Sequence, residues 1–136
     1  VALDKRTGAE RWRANRDEID TWATPLIVEH DGRAQVIAPA MDRVYGYDLE
    51  TGEIVWQFTD PQKWTFFSPI MGCVQRLPNG NTVISSYAQR NAGKVRVFEV
   101  NRKKEVVWEL FHPSSNAHGI HVISTNGEPL SDASLK

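Results

Sequence analysis

The chain has 136 residues, of which 40% are hydrophobic and 24% charged, and its formal net charge is −1. This composition is that of an ordinary globular protein, and the near-neutral charge gives no global field that would recruit nucleic acid or an acidic membrane. No apolar run approaches the roughly 20 residues that a membrane-spanning helix needs. One cysteine, Cys73, allows neither an intrachain disulfide nor a cysteine-based zinc site.

Short apolar or alternating stretches, separated by turn residues, predict β-strands along the whole chain. The main turn signals are His30-Asp31-Gly32, Glu50-Thr51-Gly52 and the run from Pro78 to Asn81. Val1 already lies inside a strand pattern, so we expect the chain to be part of a longer protein. In chain order the predicted strands are Val1–Leu3, Ala9–Arg13, Ala23–Glu29, Gln35–Pro39, Val44–Leu49, Glu53–Phe58, Ser68–Leu77, Thr82–Tyr87, Val95–Val100, Glu105–Phe111 and His118–Ser124.

The chain repeats itself. Trp12, Trp56 and Trp108 are spaced by 44 and 52 residues. The offset of 44 also aligns six further pairs: Asp4 with Asp48, Thr7 with Thr51, Gly8 with Gly52, Trp22 with Phe66, Thr24 with Ser68 and Pro25 with Pro69. A period of about 40–45 residues with four short strands per unit is typical of β-propeller blades.

The predicted fold class is therefore all-β: a partial β-propeller with two complete four-stranded antiparallel blades and partial blades at both ends. In this single open segment, residues 1–15 form the outer hairpin of a preceding blade. The two whole blades are residues 22–60 and 66–112, and residues 117–125 are the first strand of a following blade. Residues 126–136 are expected to be a loop or a frayed end. The tryptophan of each fourth strand is expected to cover the contact with a neighbouring blade.

Two stretches carry a resemblance to known families. LDKRTGAERW followed by WATPLIVEHDGRAQVIAPAMDRVYGYDLETGEIVW, within residues 1–58, resembles the pyrroloquinoline-quinone-type, or quinoprotein-like, propeller repeat. QRLPNGNTVISS with KVRVFEVNRKKEVVWEL, about Gln75–Phe111, resembles the repeats of arylsulfotransferase-like propellers. The resemblance implies a protein that works in the periplasm or outside the cell. It does not carry the families' chemistry with it, because no stretch matches their quinone, calcium or nucleophilic-histidine motifs.

We therefore expect a non-catalytic scaffold or binding module of a quinoprotein-like protein, without catalytic residues, cofactor or metal in this segment. The alternative is a fragment of a quinoprotein oxidoreductase or an arylsulfotransferase-like enzyme whose catalytic residues lie in other blades. The expected partners are the remaining blades or other copies of the chain, with a protein or a saccharide as ligand. Nucleic acid is not expected, because the basic run Arg102–Lys104 at a hairpin tip has no aromatic residues interleaved with it.

The candidate ligand-face residues are Trp22, Trp64, Phe66 and His118, which precede the first strands of successive blades. The aromatic residues could form a platform that stacks sugars or planar ligands, and packing between blades is the alternative. His118 could present an imidazole at the mouth of the propeller channel, or it could be hydrogen-bonded within a loop. We do not expect His118 and His121 to share a metal ion, because residues three apart on a strand point to opposite faces.

Overall fold

The computed structural model describes residues 1–17, 22–60, 72–86, 95–113 and 119–130. These residues form twelve β-strands and no helix, so the all-β prediction is confirmed. The strands are β1 (Ala2–Leu3), β2 (Glu10–Trp12), β3 (Leu26–His30), β4 (Arg33–Pro39), β5 (Arg43–Asp48), β6 (Ile54–Thr59), β7 (Cys73–Arg76), β8 (Thr82–Ser86), β9 (Val95–Val100), β10 (Val106–His112), β11 (Ser124–Thr125) and β12 (Glu128–Pro129).

Two antiparallel four-stranded sheets form the centre of the molecule. Sheet 1 has the strand order β3-β4-β5-β6 and sheet 2 has the order β7-β8-β9-β10, so each strand pairs with its neighbour in the chain. A first hairpin, β1-β2, and a last hairpin, β11-β12, have two strands each. This meander of neighbouring strands is the arrangement that the turn spacing predicted for the two central units, and the sheets do not close on one another.

Matching turns join the last two strands of successive units. Asp4 Oδ1 accepts hydrogen bonds from the backbone amides of Arg6 and Thr7, both at 3.0 Å. Asp48 Oδ1 accepts the same pair of bonds from residues 50 and 51, both at 2.9 Å. Gly8 and Gly52 close these turns with φ of 73° and 74°, a conformation that glycine adopts without steric cost. The residues that repeat at an offset of 44 therefore also form turns with the same hydrogen bonds.

The sheets stack face to face because their strands carry apolar side chains on both faces. Between the sheets lies a cluster of six fully buried residues: Ile37, Val44, Phe58, Ile84, Phe98 and Val100. The first hairpin covers the outer face of sheet 1 through Trp12 and Ala14, which pack on a cluster containing Tyr45 and Tyr47. The outer face of sheet 2 is covered in part by Ile120, Val122 and Leu130. The first hairpin, sheet 1, sheet 2 and the segment from Ile120 to Leu130 thus stack in the order in which they follow one another in the chain.

A buried ion pair fixes one end of the contact between the two sheets. Arg96 on β9 pairs with Asp60, which directly follows β6, and both side chains are only 4% exposed. The guanidinium also bonds Glu109 on β10 at 3.0 Å and lies 4.4 Å from the ring centroid of Phe98. Because a buried charge is tolerated only when it is paired and hydrogen-bonded, this cluster constrains how the sheets are placed against each other.

The last part of the chain differs from the sequence prediction. Of the strand predicted over His118–Ser124, the described residues have only Ser124 in a strand, at the start of β11. The carbonyl of Ile123 also accepts a hydrogen bond from the amide of Leu130 at 2.9 Å, next to the β11-β12 pairing. Residues 126–130, expected to be a loop or a frayed end, include β12 and its pairing with β11. The signal that was missed is Asn126-Gly127, a two-residue hairpin turn in which both residues have positive φ, 52° and 84°.

Candidate binding groove

The structure describes one of the four predicted ligand-face residues. Trp22 precedes β3, and its side chain is 80% exposed. Trp64, Phe66 and His118 lie outside the described residues. The aromatic platform and the channel-mouth imidazole therefore stay predictions.

The structure instead shows a groove on the outer face of sheet 2. Its volume is about 420 Å³. Its lining residues come from β9, β10 and the segment before β11: Val95, Val97, Trp108, Leu110, His112, Ile120, His121 and Val122. Trp108 and Leu110 are 49% and 46% exposed. The groove is thus an apolar surface with two imidazoles among its lining groups.

Strand pairing explains why these residues share a face. Leu110 lies opposite Val97, which lies opposite Ser85 and then Cys73. Directly paired residues in neighbouring strands point to the same face of a sheet. The row that begins with Leu110 on the open edge therefore ends with Cys73 beneath the C-terminal segment.

Two side chains of β7 hold that segment against sheet 2. Cys73 Sγ accepts a hydrogen bond from the amide of Ile120 at 3.1 Å. Gln75 Oε1 accepts from the amide of Val122 at 2.7 Å, while its Nε2 donates to the carbonyl of Val122 at 3.0 Å. The segment is therefore bonded to side chains of β7 rather than to a neighbouring strand. The bond between Cys73 and Ile120 has no signature in the sequence.

The groove contains the last of the three repeat tryptophans, and the surroundings of the other two show how this position is covered elsewhere in the molecule. Each lies on the last strand of its sheet, as predicted. The indole Nε1 of Trp12 donates to the carbonyl of Leu49 at 2.8 Å, and Trp56 lies under the guanidinium of Arg76 at 5.3 Å. Trp12 and Trp56 thus contact the following sheet. Trp108 occupies the equivalent place with half of its surface open.

A polar cluster separate from the Arg96–Asp60 pair lies at the turn ends of the two sheets, around Gly80. Arg76 donates to the carbonyl of Gly80 at 2.9 Å, and Arg102 bonds Asp31 at 3.2 Å. A side chain at Gly80 would contact both Arg102 and His30, since an added Cβ would lie 2.6 and 2.8 Å from their atoms. Burial, together with the Arg102 and Arg76 charges, lowers the pKa of His30, although Asp31 acts in the opposite direction. Burial first, and Arg102 second, also lower the pKa of Arg76.

The carboxylates of the repeated turns are structural. Arg11 and the amides of Thr7 and Arg6 lower the pKa of Asp4 to about 2. The amides of Thr51 and Glu50 lower the pKa of Asp48 in the same way. Both carboxylates are occupied by bonds within their own turns, so neither is positioned to act on a ligand.

Within the ranges described, no group of three or more histidine, cysteine, aspartate or glutamate side chains could hold a metal ion. The same ranges contain no helix long and apolar enough to cross a membrane. Comparison with known proteins finds no matching family, no matching curated protein and no matching solved structure.

Proposed function

We propose that this chain is a segment of a quinoprotein-like β-propeller that functions outside the cytoplasm as a non-catalytic scaffold or binding module. The observation that carries the proposal is the stacking of units along the chain. The buried cluster between sheets 1 and 2 draws on the last strands of one unit and the middle strands of the next. Each unit thereby buries one face against its successor, as the blades of a propeller do.

The contents of the groove favour binding over chemistry. Catalysis of acid–base or nucleophilic type needs titratable groups that converge on one point, with pKa values adjusted by their surroundings. The groove side chains are mainly aliphatic or aromatic, and none of the described groups with shifted pKa values lines it. An apolar surface flanked by a sheet edge is better suited to packing against another β-structure.

The experiment compares the two activities of the resembling families in the purified chain. Tryptophan fluorescence is followed during titration with pyrroloquinoline quinone and Ca²⁺, and sulfate transfer is measured from an aryl sulfate to a phenol. We expect no saturable quenching and no transfer above the rate of a heat-denatured control. Saturable quinone binding that is lost in Trp22→Ala, or turnover that is lost in a histidine variant, would overturn the non-catalytic proposal in favour of an enzyme fragment.

A further inference from the structure

The contact between sheets 1 and 2 ends in two charged clusters that differ in their balance of charge. At one end the guanidinium of Arg96 is 4% exposed and pairs with two carboxylates, those of Asp60 and Glu109. At the other end the guanidiniums of Arg76 and Arg102 both approach the β7-β8 turn. The carboxylate described there bonds only one of them. The second cluster therefore has an excess of positive charge.

The guanidinium of Arg76 has no carboxylate partner in the part of the chain that the structure describes. Its described hydrogen bond goes to the carbonyl of Gly80 at 2.9 Å, and its Nε is buried without a hydrogen-bond partner. The nearby charge that acts on its pKa is that of Arg102, a like charge. Because a partly buried guanidinium is costly unless its charge and its N–H donors are satisfied, this position favours an anionic acceptor.

An unsatisfied donor of sheet 1 lies against the same guanidinium. Trp56 lies under Arg76, with 5.3 Å between the guanidinium carbon and the ring centroid, and its indole Nε1 is buried with no acceptor among the described groups. The equivalent Nε1 of Trp12 donates to the carbonyl of Leu49 at 2.8 Å, so the repeat does not impose this lack of a partner. Both unsatisfied groups are donors and cannot bond each other. An acceptor from outside the described residues is needed at this point.

Arg102 and His30 form the open side of the cluster. The absence of a side chain at Gly80 lets both approach, since an added Cβ would lie 2.6 Å from Arg102 Nε and 2.8 Å from His30 Cε1. The side chains of Arg102 and Asp31 are 56% and 68% exposed. Their two hydrogen bonds are 3.2 and 3.3 Å long, whereas strong bonds between charged groups are about 2.7–2.9 Å. Asp31 is thus a loosely held carboxylate that an incoming anion can replace.

We propose that this cluster binds a phosphate-type oxoanion between the guanidiniums of Arg76 and Arg102, in place of the carboxylate of Asp31. A carboxylate matches the fork of one guanidinium, as Asp31 does with Arg102. A tetrahedral anion has oxygens in several directions and can accept from two guanidiniums that come from different turns. Free phosphate and the phosphate group of a monoester offer the same chemistry. The site lies between sheets 1 and 2, so the inference does not depend on the proposed scaffold role.

Isothermal titration calorimetry with inorganic phosphate, at an ionic strength held constant with sodium chloride, tests the proposal. We expect saturable binding at one site per chain. Arg76→Met and Arg102→Met should each weaken it by at least about tenfold, because each removes charge-assisted hydrogen bonds to the anion. Lys103→Met is the matched control, because Lys103 is an exposed cation of the same turn as Arg102 and its loss changes the net charge equally. It should change the affinity by less than about twofold.

The competing carboxylate supplies a variant that acts in the opposite direction. Asp31→Asn removes the charge and keeps the shape of the side chain, so it should tighten phosphate binding by about two- to fivefold, as expected for an exposed charge pair. A gain in affinity does not arise from unfolding, so this result can be interpreted even if an arginine variant is destabilised. Circular dichroism melts verify that each variant is folded.

Tryptophan fluorescence locates the bound anion. Because Trp56 lies under Arg76, phosphate should change the emission of wild-type protein, and this change should be lost in Trp56→Phe. Methyl phosphate distinguishes the two sources of the anion. Affinity within about threefold of that for inorganic phosphate supports a monoester group as the ligand, and binding of inorganic phosphate alone supports the free ion.

Absence of saturable phosphate binding at constant ionic strength overturns the proposal, and so does binding that the Arg76 and Arg102 variants leave unchanged. Binding that is weakened as much by Lys103→Met as by those variants shows a general effect of charge and also overturns it. Asp31→Asn protein that binds phosphate no more tightly than wild type overturns the replacement of Asp31 by the anion. The quinone and sulfate assays are separate from these measurements, so either proposal can fail without the other.

Discussion

Substitution of alanine for Gly52 should release the first hairpin from sheet 1. Gly52 has φ of +74°, and an added Cβ would lie 2.5 to 2.9 Å from three ring atoms of Trp12. Contacts below 3.0 Å require the indole to move. Gly32 is the matched control, because its φ is +71° and an added Cβ meets nothing within 4 Å.

The two variants share one cost and differ in another. A left-handed conformation costs an alanine roughly 1–2 kcal/mol, and this applies to Gly32→Ala and Gly52→Ala alike. Gly52→Ala additionally displaces Trp12, whose hydrogen bond to Leu49 is worth about 1 kcal/mol. Loss of part of the indole's apolar contact with Tyr47 adds about 1–2 kcal/mol. We therefore expect losses of about 3–5 kcal/mol for Gly52→Ala and about 1–2 kcal/mol for Gly32→Ala.

Urea denaturation, followed by far-ultraviolet circular dichroism and by tryptophan fluorescence, measures both losses in free energy of unfolding. In a Trp12→Ala background the extra cost of Gly52→Ala should disappear, leaving only the backbone strain. Equal losses for the two glycine variants in the wild-type background would refute the argument that Trp12 is fixed by contact with the β5-β6 turn.

Three further predictions concern the contact between the central sheets. Phe58→Ala removes a fully buried ring that packs on Phe98 and should lower the free energy of unfolding by about 3–5 kcal/mol in urea; a loss below about 1 kcal/mol would contradict this packing. Arg96→Met removes the guanidinium that pairs with the buried carboxylate of Asp60, so we expect a comparable loss of about 3–5 kcal/mol, and a melting temperature like that of wild type would show that the ion pair is dispensable. Because the pKa of His30 is lowered in the folded protein, the unfolded chain binds more protons below about pH 6.5, and stability should decrease as pH falls through that region. His30→Gln should flatten this dependence, and an unchanged pH profile in that variant would exclude His30 as its source.

The amino-acid sequence was sufficient for the parts of the structure that depend on neighbours in the chain. Short apolar or alternating stretches between turn residues predicted the eight strands of the central sheets to within a few residues wherever they are described, because both signals lie in neighbouring residues. The Asp-Thr-Gly turns were readable because each aspartate accepts hydrogen bonds from backbone amides two and three residues further along the chain. Asn126-Gly127 is an equally local signal for a hairpin turn, and the expectation of a loop or a frayed end over residues 126–136 overlooks it.

The tertiary structure decided which face of each element is covered, and by what. Trp12, Trp56 and Trp108 occupy equivalent places in the repeat, yet Trp12 and Trp56 contact the following sheet while Trp108 borders an open groove. The exposure of such a tryptophan depends on what stacks next rather than on its own strand. The bonds from Cys73 and Gln75 to Ile120 and Val122 join residues 47 positions apart. The pairing of Arg96 with Asp60 spans 36 positions. No local pattern encodes such contacts, because they arise only when the stacking of whole sheets brings the two segments together.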